Sequence, residues 1–302
     1  MLVRFLLLFI VSSSGALVCH GQGFEVFSVR YFWLPEAEVR QADDEIYEGL
    51  ERQPLQAVEA ILRAPIKVGK KGVVLVPNFS YAKYFQNLDR WPTLGDAPKD
   101  AELFGWGLGA LVPVSKRLEL VGSVGIDQGT NQEAQWSVDN NLYKGGVGFL
   151  LDMKEDYRPY KMGITLFYTE VLGFPIAVLV YRRDISQKWS IDLALPRYGI
   201  IDYRFSKNTS LRLEERFTAG RFVFNNAEDP LSSYNIAKVT MTAGILQRIK
   251  GPVYAQAAGG FTVWNRTVLF DDRNERLDVL RYTVPQLAFN VSLLMKVDAK
   301  NK

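Results

Sequence analysis

Residues 285–296 read PQLAFNVSLLMK: Pro285, Leu287, Phe289, Val291, Leu293 and Met295 alternate with Gln286, Ala288, Asn290, Ser292 and Lys296. In a strand successive side chains point to opposite faces, so this segment is apolar on one side and small or polar on the other. The same period recurs toward the N-terminus. Leu211 and Leu213 alternate with Arg212, Glu214 and Arg216, and Trp189, Ile191, Leu193 and Leu195 alternate with Ser190, Asp192 and Ala194. In 102–114, Phe104, Trp106, Leu108, Ala110 and Val112 alternate with Leu103, Gly105, Gly107 and Gly109. In 24–33, Phe27, Val29, Tyr31 and Trp33 oppose Val26, Ser28 and Arg30.

The connections alternate as well. Short polar turns are expected at 69–72, 115–117, 154–156, 186–188, 206–208 and 248–251, and longer loops at 34–54, 86–101, 221–233 and 265–281. Short turns on one side and long loops on the other are the layout of a membrane barrel. Hydrocarbon leaves no partner for an open sheet edge, so such a sheet must close. The expectation is an all-β fold, a transmembrane antiparallel up-and-down β-barrel of about 14 strands, with 12 as the fallback, and both termini on the short-turn side. Trp33, Trp106, Trp189, Trp264, Tyr81, Tyr168 and Phe205 are candidates for its aromatic girdles. The alternation alone also fits a soluble secreted β-sandwich with its apolar faces inward. Aromatic content of 13% and long strands favour the barrel.

The first 21 residues read as a signal peptide: Arg4, then the apolar run 5–11, then a small and polar stretch ending at Gly21. Residues 22–302 form the barrel domain in this reading. The rival is a lipoprotein signal with Cys19 lipidated, which Val18 fits poorly. Cleavage removes the only cysteine, Cys19, and the only histidine, His20, and with them any Ser-His or Cys-His mechanism. A net charge of +3 is nearly balanced and argues against nucleic acid as a partner. Beyond the signal no apolar run approaches the ~18 residues of a membrane helix; the longest, 171–181, is broken by Pro175.

The pattern resembles a family of uncharacterised outer-membrane β-barrel proteins of Bacteroidetes-type bacteria. The resemblance rests on Gly21-Gln22-Gly23-Phe24, on Ala64-Pro65-Ile66 before a Lys/Gly turn, and on 75–81 (LVPNFSY). Leu193-Ala194-Leu195-Pro196 and the repeated Ser-Lys turns add to it. The resemblance implies the fold and an outer-membrane location in a Gram-negative cell, and it carries no catalytic residues. One departure is the polar tail 298–302, where many such barrels end in an aromatic residue.

Several motifs invite chemistry and have plainer readings. Ser80-Tyr81-Ala82-Lys83 matches S-x-x-K, but on a strand Ser80 and Lys83 point to opposite faces. Gly105-Trp106-Gly107-Leu108-Gly109 lacks the helix a dinucleotide loop requires and reads as a smooth lumen stripe. Gly69-Lys70-Lys71-Gly72 reads as a hairpin turn rather than a P-loop, and 271–275 (DDRNE) as a solvated acidic loop rather than a Ca²⁺ site. The acidic stretch 43–45 lies in a loop that could hold a short helix over 45–51.

The candidate functional cluster is Asp192, Asp202, Arg204, Arg212, Glu214, Arg216 and Lys238, which alternation turns toward the lumen. A mixed-charge ring of this kind filters ions in a pore. The same residues could instead fill the lumen with ion pairs, Glu214 meeting Arg204 or Lys238. The expected function is accordingly a narrow channel or porin-like conduit. The alternatives are a closed barrel with a structural or loop-binding role, or a secreted sandwich. No catalytic residue, cofactor or metal is expected; the expected partners are outer-membrane lipid and the barrel insertion machinery.

Overall fold

A computed structural model describes residues 24–35, 39–40, 55–69, 72–85, 100–131, 141–153, 160–223, 233–270, 276–282 and 286–297. The signal peptide with Cys19 and His20, the stretch 43–51, the turn 154–156, the acidic loop 271–275 and the tail 298–302 lie outside them.

The described residues fold as one antiparallel sheet of fourteen walls of strand closed on itself. These are β1 (Phe24–Leu34, continued by Val39–Arg40), β2 (Leu55–Arg63, continued by Ile66–Val68), β3 (Val73–Phe85), β4 (Asp100–Pro113) and β5 (Leu118–Asn131). There follow β6 (Asn141–Met153), β7 (Tyr160–Thr169), β8 (Ile176–Asp184), β9 (Trp189–Leu195) and β10 (Tyr198–Arg204). The last four are β11 (Thr209–Val223), β12 (Ser233–Lys250), β13 (Val253–Phe270) and β14 (Arg276–Tyr282 with Gln286–Val297). Each strand pairs with its sequence neighbour, and β14 returns to β1 through Phe24↔Val297 to Trp33↔Phe289. Closure removes the edge that hydrocarbon would leave unsatisfied.

The register carries the alternation around the whole wall. Tyr31, Val291 and Ala257 share the outer face, while Arg30, Ser292 and Gln256 share the inner one. The outer face exposes Phe79, Trp106, Val124, Val147, Leu179, Met241 and Val291, the apolar band that lipid requires. Exposed apolar faces outside and polar ones inside are the reverse of a soluble sandwich. Ser80 faces inward and Lys83 outward, as the strand period demands, and Gly105, Gly107 and Gly109 form an inner stripe.

Two sequence expectations change. The loop expected over 265–281 is mostly strand, because β13 runs to Phe270 and β14 starts at Arg276, level with the Val223–Ser233 end of the adjacent hairpin. Of the girdle candidates, Trp106 lies at mid-strand between Phe79 and Ile126, in the apolar band itself, since its position was read from residue type alone. Trp33 stacks on Phe289 near the loop end, and Trp189 packs on Tyr203, itself against Phe205, at the short-turn end.

The wall is uneven. β12 and β13 have 18 residues each, whereas β9 and β10 have 7, below the ~9–11 of an ordinary spanning strand. Beyond Arg216 the edge of β11 therefore has no partner on β10. It crosses to the opposite wall, where Val223 pairs in parallel with Thr130 of β5. Gly129 permits the approach: a Cβ there would strike the carbonyl oxygen of Arg221.

Candidate functional site

The lumen divides into two halves with different contents. On the tall side, Arg30 of β1 donates through Nη1 to Glu214 Oε1 at 2.7 Å. The same oxygen accepts from Arg216 Nη2 at 2.8 Å and Nε at 3.1 Å, and Gln256 Nε2 reaches Oε2 at 3.4 Å. Arg30 also lies 3.8 Å from Glu25. Arg212 grips Asp202 with two parallel bonds, Nε to Oδ1 and Nη2 to Oδ2, both 2.8 Å. That fork matches the planar guanidinium to the carboxylate. Lys296 stands 3.9 Å from the same Asp202. This half is sealed: the side chains of Arg30, Arg212 and Glu214 keep 6%, 2% and 2% of their surface exposed.

On the low side, Arg182 Nε donates to Asp192 at 2.9 Å while its Nη2 donates to Tyr198 Oη at 3.0 Å. Arg204 faces Asp184 at 3.7 Å. Lys161 bridges Glu119 at 2.8 Å and Asp152 at 3.4 Å, and Lys144 pairs with Asp127. These side chains keep between 17% and 41% of their surface exposed.

Two apolar clusters interrupt the polar lining. At the loop end, Phe222 of β11 meets Tyr84 of β3 edge-on and stacks on Tyr234, with Phe32, Leu34 and Ile236 around them. On the low side, Leu150, Val178, Val180 and Ala194 pack with Phe167 and Tyr198 at mid-lumen.

All seven sequence candidates stand on the inner face, by the register that links Arg182, Asp192, Ile200 and Glu214 and its equivalents. The structure does not join them into one ring. Asp192 and Arg204 belong to the accessible half, and Asp202, Arg212 and Glu214 to the sealed half. Arg216, 27% exposed, borders both. The pairing of Glu214 with Arg204 or Lys238 is corrected: Glu214 takes Arg30 and Arg216, and Arg204 takes Asp184. Neighbouring strands were not decisive, because long guanidinium side chains reach across the lumen.

Lys238 is buried, with its Nζ 4.0 Å from the centre of the Phe32 ring and 5.5 Å from that of Tyr84. A cavity of about 30 Å³ adjoins it. Residues missed in the sequence, above all Arg30, Lys144, Lys161 and Arg182, carried the same signal as those found: a charge on the polar side of an alternating strand.

No family model matches the chain, and no curated protein does, so the Bacteroidetes-type resemblance gains no support from either comparison. Among solved structures, an outer-membrane channel from Pseudomonas putida F1 is 8% identical, covering 92% of this chain and 97% of its own, with a TM-score of 0.43. A FadL homologue from Pseudomonas aeruginosa is 10% identical over 91% of this chain and 90% of its own, TM-score 0.38. The KdgM porin in complex with disordered oligogalacturonate is 8% identical over 90% and 100%, TM-score 0.35. The chain is similar to these outer-membrane barrels in strand layout, and its own pairing pattern carries the assignment to the barrel fold.

Proposed function

We propose that the protein resides in the outer membrane of a Gram-negative cell as a narrow, porin-like conduit for small polar solutes or ions. The path follows the low side of the lumen, along β5–β10. The carrying observation is the contrast in accessibility: the inward charges on β5–β9, with Arg204 of β10, stay 17–41% exposed, while Arg30, Arg212 and Glu214, with Asp202 of β10 at 14%, are sealed. Glycines 105, 107, 125, 146 and 148 keep the facing wall smooth. The cluster of Leu150, Val178, Val180 and Ala194 is the constriction, an apolar collar of the type that opens by wetting. Outer-membrane lipid and the insertion machinery are the partners this reading requires.

A second reading, a closed barrel with a structural or binding role, draws on the loop end, where Val223 pairs with Thr130 and Phe222 packs on Tyr84.

Planar-bilayer recording on protein with a heat-modifiable gel shift separates the two. The conduit reading expects small single-channel steps, enlarged in Val180→Ser, which makes the collar polar. Silence from both folded proteins would leave the closed barrel.

A further inference from the structure

We propose that the short-turn end of the barrel binds the headgroups of anionic phospholipids in the leaflet it meets. The proposal requires a bilayer around the wall and is independent of conduction.

Exposed charge is segregated by sign along the barrel axis. Among the described residues, the exposed cations are Lys67, Lys116, Arg117, Lys188, Lys207 and Lys250, all at the short-turn end, and Arg197 at the loop end. The one exposed carboxylate among them, Glu170, is also at the loop end. Carboxylates near the short turns do not neutralise this rim, because each is paired with a cation of the lumen. Glu25 lies by Arg30, Glu119 and Asp152 by Lys161, Asp184 by Arg204, and Asp202 by Arg212. The connections 70–71 and 154–159 and the tail 298–302 carry, in sequence, six Lys or Arg against Glu155, Asp156 and Asp298, so they do not reverse the sign.

The turns hold these cations at the edge of the apolar band. Three share one construction: Val114-Ser115-Lys116-Arg117, Ile185-Ser186-Gln187-Lys188 and Phe205-Ser206-Lys207-Asn208. In each, the serine Oγ accepts from the backbone N–H groups two and three residues on, at 3.0–3.2 Å. A turn pinned in this way loses less freedom when its cation takes a partner. The residue before each serine is apolar and exposed: Val114 at 56%, Ile185 at 49% and Phe205 at 56%. Ile249, 62% exposed, precedes Lys250 in the same manner. Apolar side chain and cation, one to three residues apart, straddle the boundary between hydrocarbon and headgroup. Trp189, Tyr203 and Phe205 cluster at the same level. Lipid phosphate lies at that boundary, within a Debye length of the rim. A soluble acidic protein would meet the cations without their apolar neighbours.

The test is electron spin resonance of chain-labelled phosphatidylglycerol and phosphatidylcholine around the full barrel in phosphatidylcholine vesicles, which measures the share of each lipid held at the wall. Phosphatidylglycerol should be favoured by roughly two- to fivefold, and the preference should fall in high salt. Lys116→Gln/Arg117→Gln/Lys188→Gln/Lys207→Gln should bring the ratio close to one, with Lys188→Gln/Lys207→Gln intermediate. Arg197→Gln, at the other end, should leave it unchanged. Heat-modifiable migration identifies the folded variants, and the lighter double variant serves if the fourfold one does not fold. Equal retention of the two lipids by the folded wild type, or a preference that the variants keep in full, overturns the proposal. Either result leaves the conduit reading to its conductance measurement.

Discussion

Arg30 and Glu214, 184 residues apart and on strands that are not neighbours, are joined by a 2.7 Å hydrogen bond across the lumen. β1 pairs with β14 and β2, and β11 with β10 and β12, so this contact is a chord of the barrel rather than part of its wall. It holds the tall half of the lumen shut.

Removing Arg30 leaves the buried Glu214 carboxylate with Arg216 as its remaining cation, so the cost stays below the about 3–5 kcal/mol of a fully orphaned buried charge. Arg30→Met should lower the unfolding free energy obtained from urea titration in lipid vesicles by less than that amount, with a correspondingly lower midpoint. The double variant Arg30→Met/Glu214→Leu should lose less than the sum of the two single changes. Strict additivity would mean that the pair contributes no coupling.

Arg212 and Arg216 separate by accessibility. Arg216 is 27% exposed and should set ion selectivity, so Arg216→Gln is expected to shift the reversal potential under a salt gradient toward cations. Arg212 is 2% exposed and locked to Asp202, so Arg212→Gln should lower stability while leaving selectivity near wild type. The opposite assignment would show that the open path runs on the tall side.

The crossing of β11 depends on Gly129, where a side chain would strike the Arg221 carbonyl. Gly129→Val should separate the two strands and widen the loop-end mouth, seen as a larger single-channel conductance. Crosslinking between cysteines placed at Val223 and Thr130 should fall in the same variant. An unchanged crosslinking yield would mean that the contact tolerates the bulk.

Lipid-facing positions should penalise charge. Val124 is 67% exposed on the outer face at mid-strand, and Val124→Arg should cost about 2–4 kcal/mol in vesicle folding titrations. The adjacent Ser123 faces the lumen, and Ser123→Arg should cost less and reduce conductance instead. Equal penalties at the two sites would contradict the inside–outside assignment.

Much of this was legible in residues 285–296 alone. Leu287, Phe289 and Val291 against Ala288, Asn290 and Ser292 set a face for lipid and a face for the lumen, because side-chain direction in a strand depends only on parity. Repeated along the chain, parity also placed Asp192, Asp202, Arg204, Arg212, Glu214, Arg216 and Lys238 inside. The turn residues supplied the spacing from which fourteen strands follow.

Parity has no reach beyond one strand. It put Arg30 and Glu214 on inner faces but gave no reason for them to meet, since their contact requires closure of β14 onto β1 and the shear of the strands between. The height of the wall, 7 residues at β9 and 18 at β12, was hidden because strand ends depend on pairing more than on composition. That difference frees the edge of β11 to cross to Gly129 and Thr130 and splits the lumen into a sealed and an accessible half. The sequence by itself determined which side chains face water and which face lipid, through a local, two-residue period. Only the tertiary structure decided which of the inward charges touch, because that depends on distances across a closed ring.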